Sequence, residues 1–160
     1  MRLPLANVNQ DELVFRRFEG SEPASLQRVI ANAPDVAYNS LILLRSCTVG
    51  MEPRMVELAI LQQAILSANT YIWNHHAPKA MAMGITELEL YDLRTGNLSD
   101  LDDTDRIVAV FVAAVMNRNV TDEQCSALAD VIGNEALVKL TVLVGLYSMF
   151  GLAQMAFDVQ

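Results

Sequence analysis

The chain is 160 residues long, which is enough for one domain with a hydrophobic core and too short for two ordinary domains. Its 19 acidic and 11 basic residues give a formal charge of −8, and no basic cluster is denser than the Arg16-Arg17 pair. This charge excludes nucleic acid as a partner, because the phosphate backbone would be repelled. Hydrophobic residues make up 52% of the chain and charged ones 19%, so we expect subunit contacts to cover part of the apolar surface.

The apolar segments and the cysteines indicate the cellular compartment of the protein. The first 15 residues contain no apolar run of signal-peptide length, and the apolar stretch 136–157 is interrupted by Lys139. We therefore expect a helix buried between subunits rather than a membrane span. Cys47 and Cys125 lie far apart and outside any metal-binding spacing, as is typical of structural thiols in a reducing compartment. These features predict a cytoplasmic protein with no membrane partner.

Helix signals recur along the whole chain, and no segment shows the two-residue alternation and hairpin turns of strands. The predicted class is all-α, a single-domain bundle of about eight helices in which residues 1–22 form a loosely ordered arm. Pro34 and Pro53 mark helix starts, and Gly84 and Gly133 mark helix ends. The predicted helices cover residues 24–32, 34–47, 54–67, 70–84, 87–93, 102–116, 121–133 and 134–157.

Glu57 is the first candidate for chemistry because it shares a helical stripe with the apolar residues Leu61 and Ile65. A carboxylate on such a stripe is costly unless it is paired, hydrogen-bonded or protonated. Enzymes use this kind of environment to prepare a carboxyl group for proton transfer. The alternative is a helix-start glutamate that reaches solvent and is favoured by the helix dipole.

The second candidate is the segment 71–76, which holds the only tryptophan, Trp73, and both histidines of the chain. On a helix His75 and His76 point about 100° apart, so the two rings do not converge on one ion. Metal-binding helices place their histidines four residues apart, and we therefore predict no metal site in this segment. A histidine against an apolar wall is suited to proton transfer near neutral pH, the alternative being a packing histidine.

These residues resemble a known superfamily. Glu57, followed twelve positions later by NTYIWNHHAPKAMAMGIT at residues 69–86, is similar to the carboxymuconolactone decarboxylase and alkylhydroperoxidase D superfamily. The resemblance runs from Ala33-Pro34 to the closing helix, about four fifths of the chain. It implies an all-helical fold and an assembly that is a trimer or is built from trimers.

The resemblance also separates two branches of that superfamily. The peroxidase branch has a Glu, a CxxC pair and a following His, which fall on Glu57, Asn69, Ile72 and His76. This chain therefore has no cysteine at either position of the pair. A thiol peroxidase needs a thiolate nucleophile and a resolving thiol, so peroxide reduction by that mechanism is excluded.

The decarboxylase-like branch reads Tyr-Glu-Trp, two residues and His, which this chain matches at Tyr71, Trp73 and His76 while Ile72 stands where Glu is expected. The resemblance implies that His76 and Glu57 are catalytic. They would pass a proton to the enolate or dienolate carbon formed as a lactone loses its carboxyl group. Predicted substrate-binding residues are Asn69, Tyr71, Ile72, Trp73 and His75, together with the cations Arg54 and Lys79 that would hold a substrate carboxylate.

The sequence thus favours a cofactor-free enzyme that uses His76 for proton transfer on a small acidic or lactone-like metabolite. The alternative is a catalytically silent scaffold or small-molecule-binding member of the same superfamily. Solvent access discriminates the two, since a catalyst needs His76 in a pocket, whereas in a scaffold Ile72 and Trp73 would plug it. A metal-dependent activity would require ligands from another helix or subunit.

Overall fold

The computed structural model describes residues 1–6 and 24–160. These ranges are all-helical, without a strand, which confirms the predicted all-α class. The predicted arm lies outside the described residues except for positions 1–6. The helices are α1 (Ser25–Ile30), α2 (Pro34–Thr48), α3 (Pro53–Leu66), α4 (Thr70–Ala82), α5 (Glu87–Thr95), α6 (Asp103–Asn117) and α7 (Asp122–Phe157).

The helix starts are set by side-chain caps that satisfy the free amides of the first turn. The side chains of Asn69, Thr86, Asp102 and Thr121 each accept a hydrogen bond from a backbone amide three residues ahead. Thr86 and Thr121 also form capping boxes. The predicted starts of α4 to α7 follow from these residues.

The described part of the chain contains seven helices, so the predicted count of about eight is not confirmed. The two helices expected on either side of Gly133 are both present, and they meet at a kink there within the element numbered α7. Gly133 itself has non-helical backbone angles, with φ 81° and ψ 160°. Only glycine adopts such a positive φ readily, so the predicted break survives as a local interruption within α7.

Helix α3 lies at the centre of the bundle and packs against α4, α6 and α7. It is apolar on several faces, and Leu58 and Leu61 on it are fully buried. Helix α2 lies against α7 on the outside of this core. The first residues lie at the C-terminal end of α7, since the amide of Arg2 donates to the carbonyl of Phe157 at 2.7 Å.

Helix α7 carries an exposed apolar stripe, formed by Val138, Val142, Gly145, Met149 and Leu152, which we call the α7 stripe. By length and composition α7 is apolar enough to cross a membrane, and only 28% of its most apolar window is buried in the chain. A single copy of the protein therefore leaves much of this helix uncovered.

Candidate active site

The site is built where α3 and α4 run alongside each other. Glu57 projects from the second turn of α3 and His76 from the middle of α4. Nδ1 of His76 lies 2.7 Å from Oε2 of Glu57. The two residues are 19 positions apart in sequence, and the structure brings them into direct contact.

Both partners are shielded from solvent, with side-chain exposures of 8% for His76 and 15% for Glu57. A carboxylate only accepts, so the contact is satisfied when the proton of the ring lies on Nδ1 and is donated to Glu57. This arrangement fixes the tautomer and the orientation of the ring. It leaves Nε2 of His76 as the nitrogen that can exchange a proton with a ligand.

His76 opens on a cavity of about 370 Å³ between α1, α2, α4 and α7. This volume lies in the range of small-molecule sites. Four of the predicted substrate-binding residues, namely Tyr71, Ile72, His75 and Lys79, lie on its wall. The remaining lining comes from Ala24, Leu26, Gln27, Ile30, Leu41, Leu44, Arg45, Thr48, Val49, Tyr147 and Phe150.

The cavity is apolar with a basic edge. Among the described residues that line it none is acidic, whereas Arg45 and Lys79 are cationic. Burial lowers the pKa of His75, and the nearby charges of Lys79 and His76 lower it further. The lining therefore suits a small, largely apolar ligand that carries a negative charge.

An aromatic column from α7 closes the cavity behind His76. The ring of Tyr147 meets the ring of His76 edge to face, with centroids 5.1 Å apart and an interplanar angle of 84°. Phe150 packs on Tyr147 in the same manner at 5.7 Å. Burial, and then the negative charge of Glu57, raise the pKa of Tyr147 far above its ordinary value. The phenol consequently keeps its proton.

Three predicted substrate-binding residues lie away from this cavity. The guanidinium of Arg54 is bound by the carboxylates of Glu89 and Asp105 at 2.6 and 2.7 Å, and it does not line the cavity. Trp73 is buried and packs under Arg94, whose guanidinium carbon lies 4.3 Å from the ring centroid. Asn69 caps α4 through the amide of Ile72.

The residues that sequence reasoning missed belong to distant elements. Tyr147 and Phe150 lie in the apolar α7, where they read as ordinary core residues, and Arg45 lies on the outer helix α2. The one available signal was a tyrosine within a stretch, 140–157, that contains no charged residue. A buried phenol needs a hydrogen-bond partner or a ligand, which sets it apart from Leu or Phe.

The cysteines lie outside the site. Cys47 is buried on α2, where burial raises the pKa of its thiol, although Lys139 opposes this, and Cys125 is half-buried on α7. Within residues 1–6 and 24–160 no group of three or more His, Cys, Asp or Glu side chains is placed to hold a metal ion.

The fold and the site together define a class of protein, a helical bundle with a glutamate–histidine pair beside a small cavity. No family model matches the sequence, and no curated protein matches it. One similar solved structure is ATU0492 from Agrobacterium tumefaciens, a protein of unknown function provisionally assigned as the antioxidant defence protein AhpD. Its TM-score is 0.72 at 20% identity, over 81% of this chain and 93% of that one.

A second similar structure is a cysteine-to-alanine variant of the debrominase Bmp8 in complex with 2,3,4-tribromopyrrole. It has a TM-score of 0.80 at 17% identity and covers all of this chain and 92% of that one. At these identities the likeness concerns the fold. The chain therefore has the AhpD-like fold, named after alkylhydroperoxidase D.

Proposed function

We propose that this protein is a cofactor-free enzyme that transfers a proton to or from a carbon atom of a small acidic or lactone-like metabolite, in the manner of the decarboxylase-like branch of its fold. One observation carries this proposal. His76 is held by Glu57 at 2.7 Å and at the same time lines a cavity of small-molecule size.

The pair supplies the two properties that a general base and acid needs. Glu57 accepts the Nδ1 proton, holds the ring in place and stabilises the imidazolium that forms when Nε2 takes up a proton. In a decarboxylation the bond to the carboxyl carbon breaks and its electron pair moves into the conjugated carbonyl. The Nε2 proton of His76 then adds to the carbon left behind, and a solvent proton restores the imidazolium.

The lining of the cavity supports the choice of substrate. Apolar side chains such as Leu44 and Ile72 on the wall would face a small ring, while Arg45 and Lys79 would offer positive charge to its carboxylate. The single-ring compound bound by the debrominase Bmp8 is of comparable size. The volume and the charge of the cavity therefore support a small acidic or lactone-like ring as the substrate.

Access to the histidine favours an enzyme over a silent scaffold. Trp73 does not contribute to the cavity, and Ile72 forms only part of its wall. Neither residue plugs the space in front of His76. A scaffold that binds a ligand without changing it is the other outcome of the experiment below.

The test follows proton transfer directly. The purified protein is incubated in deuterium oxide with 4-carboxymuconolactone and with unsubstituted muconolactone, and substrate loss, carbon dioxide and deuterium at carbon are recorded. We expect wild-type turnover, which His76→Gln lowers by about 10²- to 10⁴-fold. Glu57→Gln should lower it by about 10²-fold, because the amide no longer stabilises an imidazolium.

Glu87→Gln is the matched control, since Glu87 is exposed on α5, away from the cavity. It should retain wild-type turnover. Absence of deuterium incorporation and of carbon dioxide with the wild type would overturn the enzymatic proposal. Saturable binding without turnover would instead indicate the ligand-binding scaffold.

We further infer that the protein works in the cytoplasm as a homo-oligomer, a trimer or a multiple of trimers. The α7 stripe supports association between copies because it is long, exposed and free of charge. A membrane is the competing partner for such a helix, and the two are separated by whether the protein stays monodisperse without detergent.

A further inference from the structure

Tyr147 holds an unusual position among the polar groups around His76. It is 8% exposed and it lines the cavity, and within the described ranges 1–6 and 24–160 none of the hydrogen bonds found involves its hydroxyl. The other tyrosine of the cavity differs, since the hydroxyl of Tyr71 accepts a hydrogen bond from the amide of Leu26 at 3.3 Å. A buried phenol normally has a partner, and for Tyr147 the cavity is where one can be found.

The packing of Tyr147 holds its ring in place. His76 meets one side edge to face at 5.1 Å, and Phe150 meets it edge to face at 5.7 Å. Such contacts fix the ring without using the hydroxyl. A hydroxyl that is held in place before a ligand arrives costs no reorganisation when it acts.

The charges around Tyr147 define what it can do. Burial, and then the negative charge of Glu57, disfavour ionisation of the phenol, so the hydroxyl keeps its proton. Tyr147 is therefore a donor to an oxygen atom and not a base. An oxygen that gains negative charge within an apolar cavity gains most from such a donor.

We propose that Tyr147 is a catalytic residue whose hydroxyl donates a hydrogen bond to the substrate oxygen that becomes an enolate while His76 transfers the proton at carbon. The role rests on the proton-transfer function proposed above. When the bond to the carboxyl carbon breaks, its electron pair moves to this oxygen and carbon dioxide leaves. His76 then protonates the carbon, the pair returns from oxygen, and Tyr147 keeps its own proton throughout.

This role makes the substrate class more specific. The reacting molecule carries a carbonyl oxygen conjugated to the carbon that exchanges its proton, as a lactone or a keto acid does. The carbonyl faces Tyr147 and the carbon faces Nε2 of His76. A substrate without such an oxygen would leave the hydroxyl of Tyr147 unused and is not expected to react.

The test uses a probe that needs no turnover. 4-Nitrophenolate has a ring with one anionic oxygen, like an enolate, and its absorbance reports how that oxygen is hydrogen-bonded. At a pH where it is ionised in solution, we expect Tyr147→Phe to bind it at least about tenfold more weakly than the wild type. Nitrobenzene, which lacks the oxygen, should bind both proteins equally within about twofold.

The variant Tyr147→Phe retains the ring that packs on His76 and Phe150, and circular dichroism and a melting curve show whether it is folded. Tyr91→Phe is the matched control, because Tyr91 is exposed on α5, and it should bind the probe like the wild type. Equal affinity of wild type and Tyr147→Phe for 4-nitrophenolate would overturn the proposal. Failure of the wild type to bind this probe at all would overturn it as well.

The turnover assay separates this inference from the proposed function. Loss of activity in His76→Gln with nearly full activity in Tyr147→Phe contradicts the role of Tyr147 and leaves proton transfer by His76 standing. If the wild type is inactive but binds 4-nitrophenolate through Tyr147, the enzymatic function is contradicted. Hydrogen-bond donation from Tyr147 to a bound oxygen is then still supported. A kcat loss of about tenfold or more in Tyr147→Phe, with KM changed less, is the result we expect.

Discussion

The reach of Glu57, as well as its charge, holds the imidazole of His76. Glu57→Asp keeps the charge but withdraws the carboxylate by about 1.5 Å, the length of one carbon–carbon bond. The 2.7 Å contact is then lost or the ring must follow. We expect kcat for the proposed lactone substrate to fall by about 10²-fold, since displacements of this size can cost that much.

This prediction is checked by steady-state kinetics beside Glu57→Gln, which keeps the length and removes the charge. Thermal melting of both variants controls for folding. Wild-type kcat in Glu57→Asp would mean that a charge anywhere near the ring is sufficient and that the 2.7 Å contact has no positioning role.

We expect His75 to make the stability of the fold depend on pH. Its pKa is lowered from the ordinary value of 6.5, first by burial and then by Lys79 and His76. The unfolded chain therefore binds this proton more readily than the folded one, and stability present at neutral pH is lost as the pH falls below about 6.5 toward the folded pKa. His75→Gln removes this loss.

We accordingly expect the unfolding free energy of His75→Gln to improve relative to the wild type as the pH is lowered from about 7.5 to about 5. Urea denaturation at both pH values measures the difference. An unchanged difference would show that the protonation of His75 is not coupled to folding.

Sequence reasoning predicted Glu57 and His76 as a pair because each lies on an apolar helical face and because both match a known superfamily pattern. It could not predict the direction of Arg54, which is set by carboxylates on α5 and α6. Tyr147 was missed for a similar reason. Periodicity identifies the face of a helix, whereas the neighbour that this face meets is a property of the tertiary fold.

Three helices meet at Arg54, which joins α3 to Glu89 of α5 and Asp105 of α6. Its Nη1 also donates to the carbonyl of Gly84 at the end of α4. Arg54→Met would leave Asp105, whose side chain is 5% exposed, without a cation. We expect a loss of about 3 kcal/mol, the lower end for a broken buried pair, because the Arg54 side chain keeps 21% exposure.

The same variant decides whether Arg54 contacts substrate. Since its guanidinium lies away from the cavity, KM of folded Arg54→Met should stay within about twofold of the wild type. Glu135→Gln, which breaks an exposed pair with Lys139, serves as the stability control and should have little effect. A large increase in KM would restore the sequence-based prediction that Arg54 binds the substrate carboxylate.

Gly151 on α7 sets how closely that helix approaches the start of α4. A Cβ at this position would lie 3.1 Å from Nδ2 of Asn69, whose Oδ1 caps α4 and whose Nδ2 donates to Gln154. Because both ends of the Asn69 side chain are bound, it cannot move without loosening the cap. We expect Gly151→Ala to destabilise the protein by about 1 kcal/mol, the typical worth of an N-cap.

The gain in helix propensity from replacing glycine by alanine opposes this effect, so a net stabilisation in chemical denaturation would contradict the close contact with Asn69. Asn69→Ala is the matched variant, since it removes the cap directly. The double variant Gly151→Ala/Asn69→Ala should lose less unfolding free energy than the sum of the two single losses, because both substitutions act through the same cap.

The helices themselves were predictable because their boundaries are local. Prolines at the starts of α2 and α3 and side-chain caps at α4 to α7 act within one turn of chain. The count was less predictable at Gly133. The helices on its two sides meet at a kink and are numbered together as α7, so the break follows from the glycine, while the count depends on where one helix is taken to end.

At the scale of the whole molecule, composition and structure agree on an excess of apolar surface. The sequence contains 52% hydrophobic residues, and the structure exposes large apolar side chains such as Val138 and Leu152, each at 62%. Composition alone could not assign this excess to one face. In the folded chain part of it forms the α7 stripe, which repeats at steps of four and three residues, as in helices that pack against each other.

The α7 stripe predicts which substitutions dissociate the oligomer without unfolding the chain. Val142 and Leu152 point outward, so replacing both with glutamate leaves the core untouched and places two charges in a contact between copies. We expect wild type to migrate as an oligomer in light scattering without detergent, and Val142→Glu/Leu152→Glu as a helical monomer.

Leu88→Glu on α5, equally exposed but away from α7, is the control and should leave the oligomer intact. A monomeric wild type would refute association through this face, and a wild type that is soluble only in detergent would assign the α7 stripe to lipid. Tyr147 lies on the opposite, buried side of the same helix, so the assembly would cover one face of α7 while the cavity uses the other. Loss of turnover in the monomeric variant, with the fold intact, would mean that subunit contacts hold α7 in the position that the site requires.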